Sequence, residues 1–326
     1  MPITETLDRA RNIYVSTLRA KRKTIIDNIH SNNPLLNEML QRGRIVEEDG
    51  GSCIEEPIEF GINPNTAWIG DYGTLGTAAP EFLVNSKTEW KVVGGLVVVS
   101  DIQLLKNQGK HQLIKLIDAK KLNLQNTLKG VLSAGIFSNG TGSGGLQLTG
   151  LQAAVADDPT TGIYAGIDRA SYSWWRNQQV SGGVFSTDGL ANLRTQTLTA
   201  ADDGGKDRAN LYVAGQTPFE EYLKLGDPRQ RIPLLPVAAT KRLIDMGFDV
   251  AEYMRTPVIW DTDCANSRWY GLNLNYMKLT VCRGGNFAMT PSVRAFNSPQ
   301  AAYIVFFMAN LVLTQPRRQF VMHTIS

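Results

Sequence analysis

The chain has 326 residues, 43% of them hydrophobic and 19% charged, with 33 Lys and Arg against 30 Asp and Glu and a net charge of +3. Such a chain can bury a sizeable core in one large domain or two ordinary ones, which excludes disordered and collagen-like classes. The small net charge does not by itself imply nucleic-acid binding, and the longest nearly apolar run, Ala301 to Leu313, falls short of the roughly 18 residues of a membrane span.

The N-terminus carries no continuous apolar stretch of the kind found in secretory signals, so the chain is expected to stay in a cytoplasm. Leu7, Ala10, Tyr14 and Leu18 share one helical face, continued by Ile25, Ile26 and Ile29, and the segment is basic at Arg19 to Lys23. Asn33 before Pro34 is an N-cap with proline at the first helical position, and Gly43 closes this short second helix. Neither helix has many large apolar residues, so both read as an arm that packs on something else.

From Ile54 onward the pattern turns to strands and glycine-punctuated loops around Trp68 and Tyr72. An extended stretch follows from Glu81 to Val99, interrupted at Gly94-Gly95. At about 3.3 Å per residue it would reach on the order of 60 Å, more than an ordinary domain spans. A ribbon of that length is marginal alone and exposes edges, so neighbouring chains are expected to cover it through Trp68, Tyr72, Phe82 and Trp90.

Ser100 with Gln103 forms a capping box, and Leu113, Ile117, Leu124, Leu128 and Leu132 recur at helical spacing. Six lysines lie between Asp101 and Gly130 against the acids Asp101 and Asp118. The face they form is either simply solvated or turned toward polyphosphate. Further on, Asp188 to Ala201 reads as helix, Asn210 to Ala214 as strand, Thr217 to Glu220 as a capping box opening a helix that ends near Gly226, and Thr240 to Met246 as helix. Pro257 to Trp260, Trp269 to Val281 and Ala301 to Ile325 read as strands, the last changing character at Gln315-Pro316-Arg317-Arg318. The sum is an α+β fold framed by one long helix and long strands.

Catalytic templates find no support. Cys53, Cys264 and Cys282 cannot all pair and make no C-x-x-C, and His30, His111 and His323 are scattered. The G-x-G-x-x-G match through Gly140, Gly142 and Gly145 follows a helix instead of a strand, so it reads as a loop. Gly204-Gly205-Lys206 lacks the P-loop spacing, and Asp261-Thr262-Asp263 reads as a turn beside a strand. The expectation is no enzyme, no cofactor and no metal.

The arm, the ribbon and a long helix closing on Phe137-Ser138-Asn139-Gly140-Thr141-Gly142 stand in a telling order. They are followed by Leu148-Thr149-Gly150-Leu151, Ile167-Asp168-Arg169 with Trp174-Trp175-Arg176-Asn177, and a last strand through Asn310-Leu311-Val312-Leu313-Thr314 into Arg317-Arg318-Gln319. In order and spacing the chain, from about Ile54 to its end, resembles the major capsid protein of tailed bacteriophages.

That resemblance implies the Hong Kong 97-like (HK97-like) capsid fold: an N-terminal arm over 1–52, an extended β-hairpin loop over 53–99, a peripheral domain over 100–210 and 301–326 with the spine helix, and an axial domain over 211–300. The implied role is self-assembly into an icosahedral shell enclosing double-stranded DNA, in the virion capsid and, during assembly, the host cytoplasm. Implied partners are other copies in pentamers and hexamers, the packaged DNA by non-specific contact, and separate scaffold, portal and decoration proteins, with no membrane. No long charged coiled-coil segment precedes the arm, so any scaffold is expected from another chain. Lys106, Lys110, Lys115 and Lys121 are expected to face the lumen, above Leu113, Ile117, Leu124 and Leu128. An encapsulin-type compartment shares this fold but encloses cargo enzymes, and a soluble nucleotide-binding enzyme is the alternative of another class.

Overall fold

Where the sequence runs apolar without alternation, strands are covered on both faces. Leu211–Ala214 and Trp269–Leu272 are such strands, with every residue buried, and they sit at the centre of a six-stranded sheet. The computed structural model describes residues 33–61, 63–102, 116–201, 207–226, 250–289, 293–294 and 300–326. The basic N-terminal helix, the Thr240 to Met246 helix, Gly204-Gly205-Lys206, His30 and His111 lie outside these residues.

In chain order the described elements are α1 (Pro34–Gln41), β1 (Ile45–Glu48), β2 (Ile54–Glu59), β3 (Leu83–Thr88), β4 (Lys91–Ser100) and α2 (Leu116–Ile136). Then follow β5 (Ile163–Tyr164), β6 (Ile167–Asp168), β7 (Gln178–Gly183), α3 (Leu190–Thr199), β8 (Leu211–Ala214) and α4 (Gln216–Gly226). The rest are β9 (Val250–Tyr253), β10 (Thr256–Trp260), β11 (Trp269–Leu272), β12 (Met277–Cys282), β13 (Ala288–Met289), β14 (Val293–Arg294), β15 (Gln300–Leu313) and β16 (Phe320–Ile325). The chain forms two compact units, the larger made of Asn33–Val92, Ser133–Gly284 and Met308–Ser326.

In the larger unit the main sheet runs β7-β16-β11-β8-β10-β9. It is mixed, with β16 parallel to β7 and β8 parallel to β10, while β11 is antiparallel to both of its neighbours. One core cluster gathers Phe185, Leu193, Tyr212, Phe219, Trp269, Phe320 and Met322. Gly271 is paired with Phe320 across β11 and β16, and a Cβ there would overlap the phenyl ring, so glycine is needed for the aromatic to lie flat. Phe137, just past α2, meets Tyr270 with ring centroids 6.4 Å apart.

A second set of strands in this unit joins β1, parallel to β12, and β12, antiparallel to the end of β15 from Ala309 to Leu313. Helix α1 starts as expected, with Asn33 extended at the N-cap, Pro34 in the first turn and Gly43 at φ +64°. It packs on its own unit. Leu35 and Met39 are fully buried against β10, and Glu38, also buried, is paired with Arg42 at 2.5 Å.

The smaller unit includes Val93–Leu132 and Gly285–Phe307. In it β4 pairs with β15, which also takes β13 and β14 as antiparallel partners. Val97 and Val99 are buried while Leu96 and Val98 are exposed, the period-2 alternation of a strand with one covered face. Leu128 and Leu132 of α2 are buried, as their spacing predicts.

Three boundaries differ from the sequence reading. The stretch from Glu81 to Val99 breaks at Glu89-Trp90 and runs without interruption through Gly94-Gly95. Gly95 is where Leu124 of α2 lies on the strand; a Cβ would overlap the leucine. The run from Trp269 to Val281 is two strands in two different strand sets. They part at Asn273, whose fully buried amide accepts from Asn275 N–H at 3.1 Å and donates to Asp207 at 2.7 Å. Helix α4 begins at Gln216, one residue ahead of the expected Thr217 cap, because Gly215 packs tightly on the Ala265 backbone and accepts the Phe219 N–H.

Candidate intersubunit surfaces

Strands β2 and β3 form an antiparallel hairpin in register from Ile54–Thr88 to Glu59–Leu83. Its root is fastened on several sides. Lys278 of β12 pairs with Glu48 at 3.2 Å and with Glu56, and burial, opposed by these two carboxylates, leaves the ammonium above the usual lysine range. The Lys87 N–H donates to Ala165 O at 2.8 Å, in the tight turn between β5 and β6 where Ala165 takes φ +50°. Phe60, where the hairpin ends, stacks on Trp174 with centroids 5.0 Å apart and planes within 8°.

Beyond Phe60 the chain departs from regular structure until Leu83. The described part is held only by local bonds: Asn65 Nδ2 donates to Ala78 O at 2.6 Å, and Gly73 N–H to Gly70 O at 2.9 Å. Trp68 is 104% and Tyr72 100% exposed, with Ile69, Leu75, Phe82 and Leu83 about half exposed. Two full aromatic side chains, with Ile69, Leu75 and Phe82 in the same loop and Leu83 at the start of β3, expose apolar area of the kind that marks an interaction site. Between Gly61 and Phe82 the loop carries Asp71 and Glu81 and no Lys or Arg.

Of the four residues expected at this surface, Trp68, Tyr72 and Phe82 lie together on the loop. Trp90 does not: it is half-buried at the β3–β4 junction and its indole Nε1 is withdrawn from solvent. Sequence reasoning missed Phe60 and Trp174, the stacked pair at the root, because a contact between residues 114 positions apart leaves no local pattern.

The lysine set divides differently. Lys106, Lys110 and Lys115 lie outside the described residues, and so does the side chain of Lys121. Lys120 is described: its Nζ donates to Val98 O at 2.9 Å, and burial lowers its pKa. That lysine ties helix to strand.

The glycine loop after α2 is a helix stop. Asn139 Oδ1 accepts from Thr141 N–H at 3.0 Å and Oγ1 at 2.8 Å, and Gly140, Gly144 and Gly145 all have positive φ. Ser138 Oγ donates to Leu148 O at 2.6 Å, closing the loop. Asp261-Thr262-Asp263 is the turn expected, with Asp263 N–H on Asp261 Oδ1 at 3.0 Å and Asp263 Oδ2 accepting from Ser133 of α2 at 2.5 Å. Burial pushes the Asp261 carboxyl up to about 6. The three cysteines are free, and burial raises the Cys264 thiol far above its usual range. His323 lies between Thr324 at 2.8 Å and Gln179 at 3.0 Å. Among the described residues no group of three His, Cys, Asp or Glu could hold a metal, and no helix is long and apolar enough to cross a membrane.

One groove of about 550 Å³ opens in the larger unit, lined among others by Trp174, Arg176, Gln178, Gln179, Thr199 and Arg317. Arg176 is oriented by bonds to Arg169 O and Ala170 O, both 2.7 Å. Arg317 is exposed.

No family model and no curated protein sequence matches the chain. Solved structures do. A chain of the cyanophage A-1(L) capsid asymmetric unit is similar with a TM-score of 0.74 at 14% identity, over 96% of this chain and 99% of that one. The capsid of an empty GTA particle is similar with a TM-score of 0.60 at 11% identity, over 94% of both chains. The holo-SrpI encapsulin complex from Synechococcus elongatus PCC 7942 is similar with a TM-score of 0.60 at 10% identity, over 96% of this chain and 95% of that one. At such identities the likeness is one of fold: the chain has the α+β, Hong Kong 97-like capsid fold that its sequence led us to expect.

Proposed function

We propose that the chain is a shell-forming major capsid protein, many copies of which close into an icosahedral container for the double-stranded DNA of a tailed bacteriophage. The observation that carries this reading is a loop with Trp68 and Tyr72 wholly uncovered, on a fold that phage capsids use from end to end. A chain that worked alone would leave this apolar surface in water at about 25 cal/mol per Å². Function on this reading is mechanical, and the chemistry lies in repeated interfaces between copies. The domain limits 1–52, 53–99, 100–210 with 301–326, and 211–300 belong to the same proposal, as do the virion location, assembly in the host cytoplasm, and partnership with separate scaffold, portal and decoration proteins.

The likeness to an encapsulin complex supports a second reading, a shell around cargo enzymes. Electron microscopy of the purified, concentrated protein tests the first proposition: closed shells are expected, and a species that stays monomeric at high concentration refutes it. The contents of shells purified from the native source then separate the two readings, DNA with portal protein in one case and a cargo enzyme in the other.

A further inference from the structure

We propose that the groove beside Trp174 receives the Trp68–Tyr72 tip of the extended loop of a second copy of this chain. The inference rests on the shell-forming reading and names the surface through which one contact of the shell is made.

Charge is the first support. The loop from Gly61 to Phe82 has two acids and no base. The groove is lined by Arg176 and Arg317 and by no acid. Arg317 has no hydrogen bond or ion pair among the described residues and offers a guanidinium without a carboxylate, whereas Arg176 bonds to backbone carbonyls and stands in the field of Asp158 and Asp168. Asp71 lies beside Tyr72 and three residues from Trp68, which brings a carboxylate and two aromatic faces to the same place. Guanidinium groups bind both, by charge-assisted hydrogen bonds and by cation–π contact.

Size and position agree. A groove of about 550 Å³ is within the range of roughly 300–1,000 Å³ that takes a ligand of several rings, enough for an indole and a phenol. Its wall at Trp174 is the ring on which Phe60, the root of the chain's own loop, is stacked. With Trp68 and Tyr72 fully exposed, the tip does not fold back onto that groove. Each chain therefore carries a donor tip and an acceptor groove at opposite ends of one loop. A contact between unlike surfaces of identical chains is head-to-tail, and it closes into rings when the rotation allows.

The test begins with the wild-type chain, assembled and imaged. Arg317→Glu and Asp71→Arg, each made singly, are expected to lower shell yield by about tenfold or more, the scale of one lost close charge pair. The double variant, with the charges exchanged, is expected to recover most of the yield. Both positions are exposed loop or turn residues, and unchanged thermal unfolding of the unassembled variants confirms that they fold. A second measurement uses Tyr72→Cys with Thr199→Cys, oxidised in assembled shells; ladders of linked chains are expected, beyond those of the wild type with its three native thiols. Normal shells from Arg317→Glu, or no added cross-links, overturn the docking while the shell reading stands. A wild-type chain that never assembles overturns both.

Discussion

Asn310 accepts the Thr149 backbone N–H on its Oδ1 at 3.0 Å. The same side chain donates from Nδ2 to Glu89 O at 2.7 Å, and it is completely buried. One amide thus joins β15, the segment after the glycine loop, and the bend between β3 and β4. Replacing Asn310 with Leu keeps the volume and strands a donor and an acceptor. The expected loss is about 2–4 kcal/mol, read from denaturant unfolding of unassembled protein. A loss below about 0.5 kcal/mol would show that the bend does not depend on this amide.

Gly150 is enclosed by the carbonyl oxygens of Gly135 and Ile136 at the end of α2, so a Cβ there would overlap backbone that cannot move aside cheaply. Gly150→Ala should destabilise by about 2–4 kcal/mol through forced overpacking. Gly144→Ala is the comparison: its surroundings are open but its φ is +70°, so only backbone strain of about 1 kcal/mol is expected.

The Asp261 carboxyl titrates near 6 in the folded chain because burial disfavours its charge, with the Asp263 carboxylate acting in the same direction and backbone N–H groups at Asp263 and Leu35 offsetting part of it. A folded value above the unfolded one means that the folded state holds the proton more tightly. Stability is therefore greatest below about pH 4 as far as this group is concerned, and falls as pH rises through about 6, by about 3 kcal/mol in all. Asp261→Asn should flatten that part of the pH profile of the unfolding midpoint. An unchanged slope between pH 4 and 7 would place the titration elsewhere.

Removing residues 63–80 takes away Trp68, Tyr72 and Leu75 and leaves the β2–β3 hairpin able to close at its tip. The shortened chain should fold, with a melting temperature near that of unassembled wild type, and should sediment as monomers or small capsomers. Closed shells of normal size from this variant would show that the loop is not an assembly element.

On the proposed reading of a DNA-filled shell, exchanging Lys106, Lys110, Lys115 and Lys121 for Gln should leave assembly intact and weaken the salt-sensitive association of DNA with the shell, since each phosphate contact contributes to the salt slope. Shells that fail to form would assign these lysines to contacts between chains instead.

Much of the frame was legible in the sequence because it is written in local periodicity. The leucines of α2, the unbroken apolar run of β8, the nearly apolar run of β15 and the Asn33-Pro34 helix start all satisfy rules that act over a few residues. What escaped is set by partners far along the chain. Nothing near Asn273 announces that Trp269–Val281 must divide between two strand sets, and Gly94-Gly95 reads as a break until Leu124 is seen lying across it. Of the candidate intersubunit surface, the length of the loop pointed to the exposed Trp68, Tyr72 and Phe82, whereas the half-buried state of Trp90 and the Phe60–Trp174 stack depended on tertiary packing.

In the proposed shell the Phe60–Trp174 stack would also serve as a pivot. Twelve residues separate Phe60 from Tyr72, a span of up to about 40 Å, so a tilt of about 5° at the root carries the tip through about 3 Å. In a shell of the proposed kind, identical chains around five-fold and six-fold positions would meet their neighbours at slightly different angles. A loop leaning on a stacked aromatic pair, beside the polar contacts that hold the hairpin, would let each copy make the same grip at the far end while its own core stays as it is.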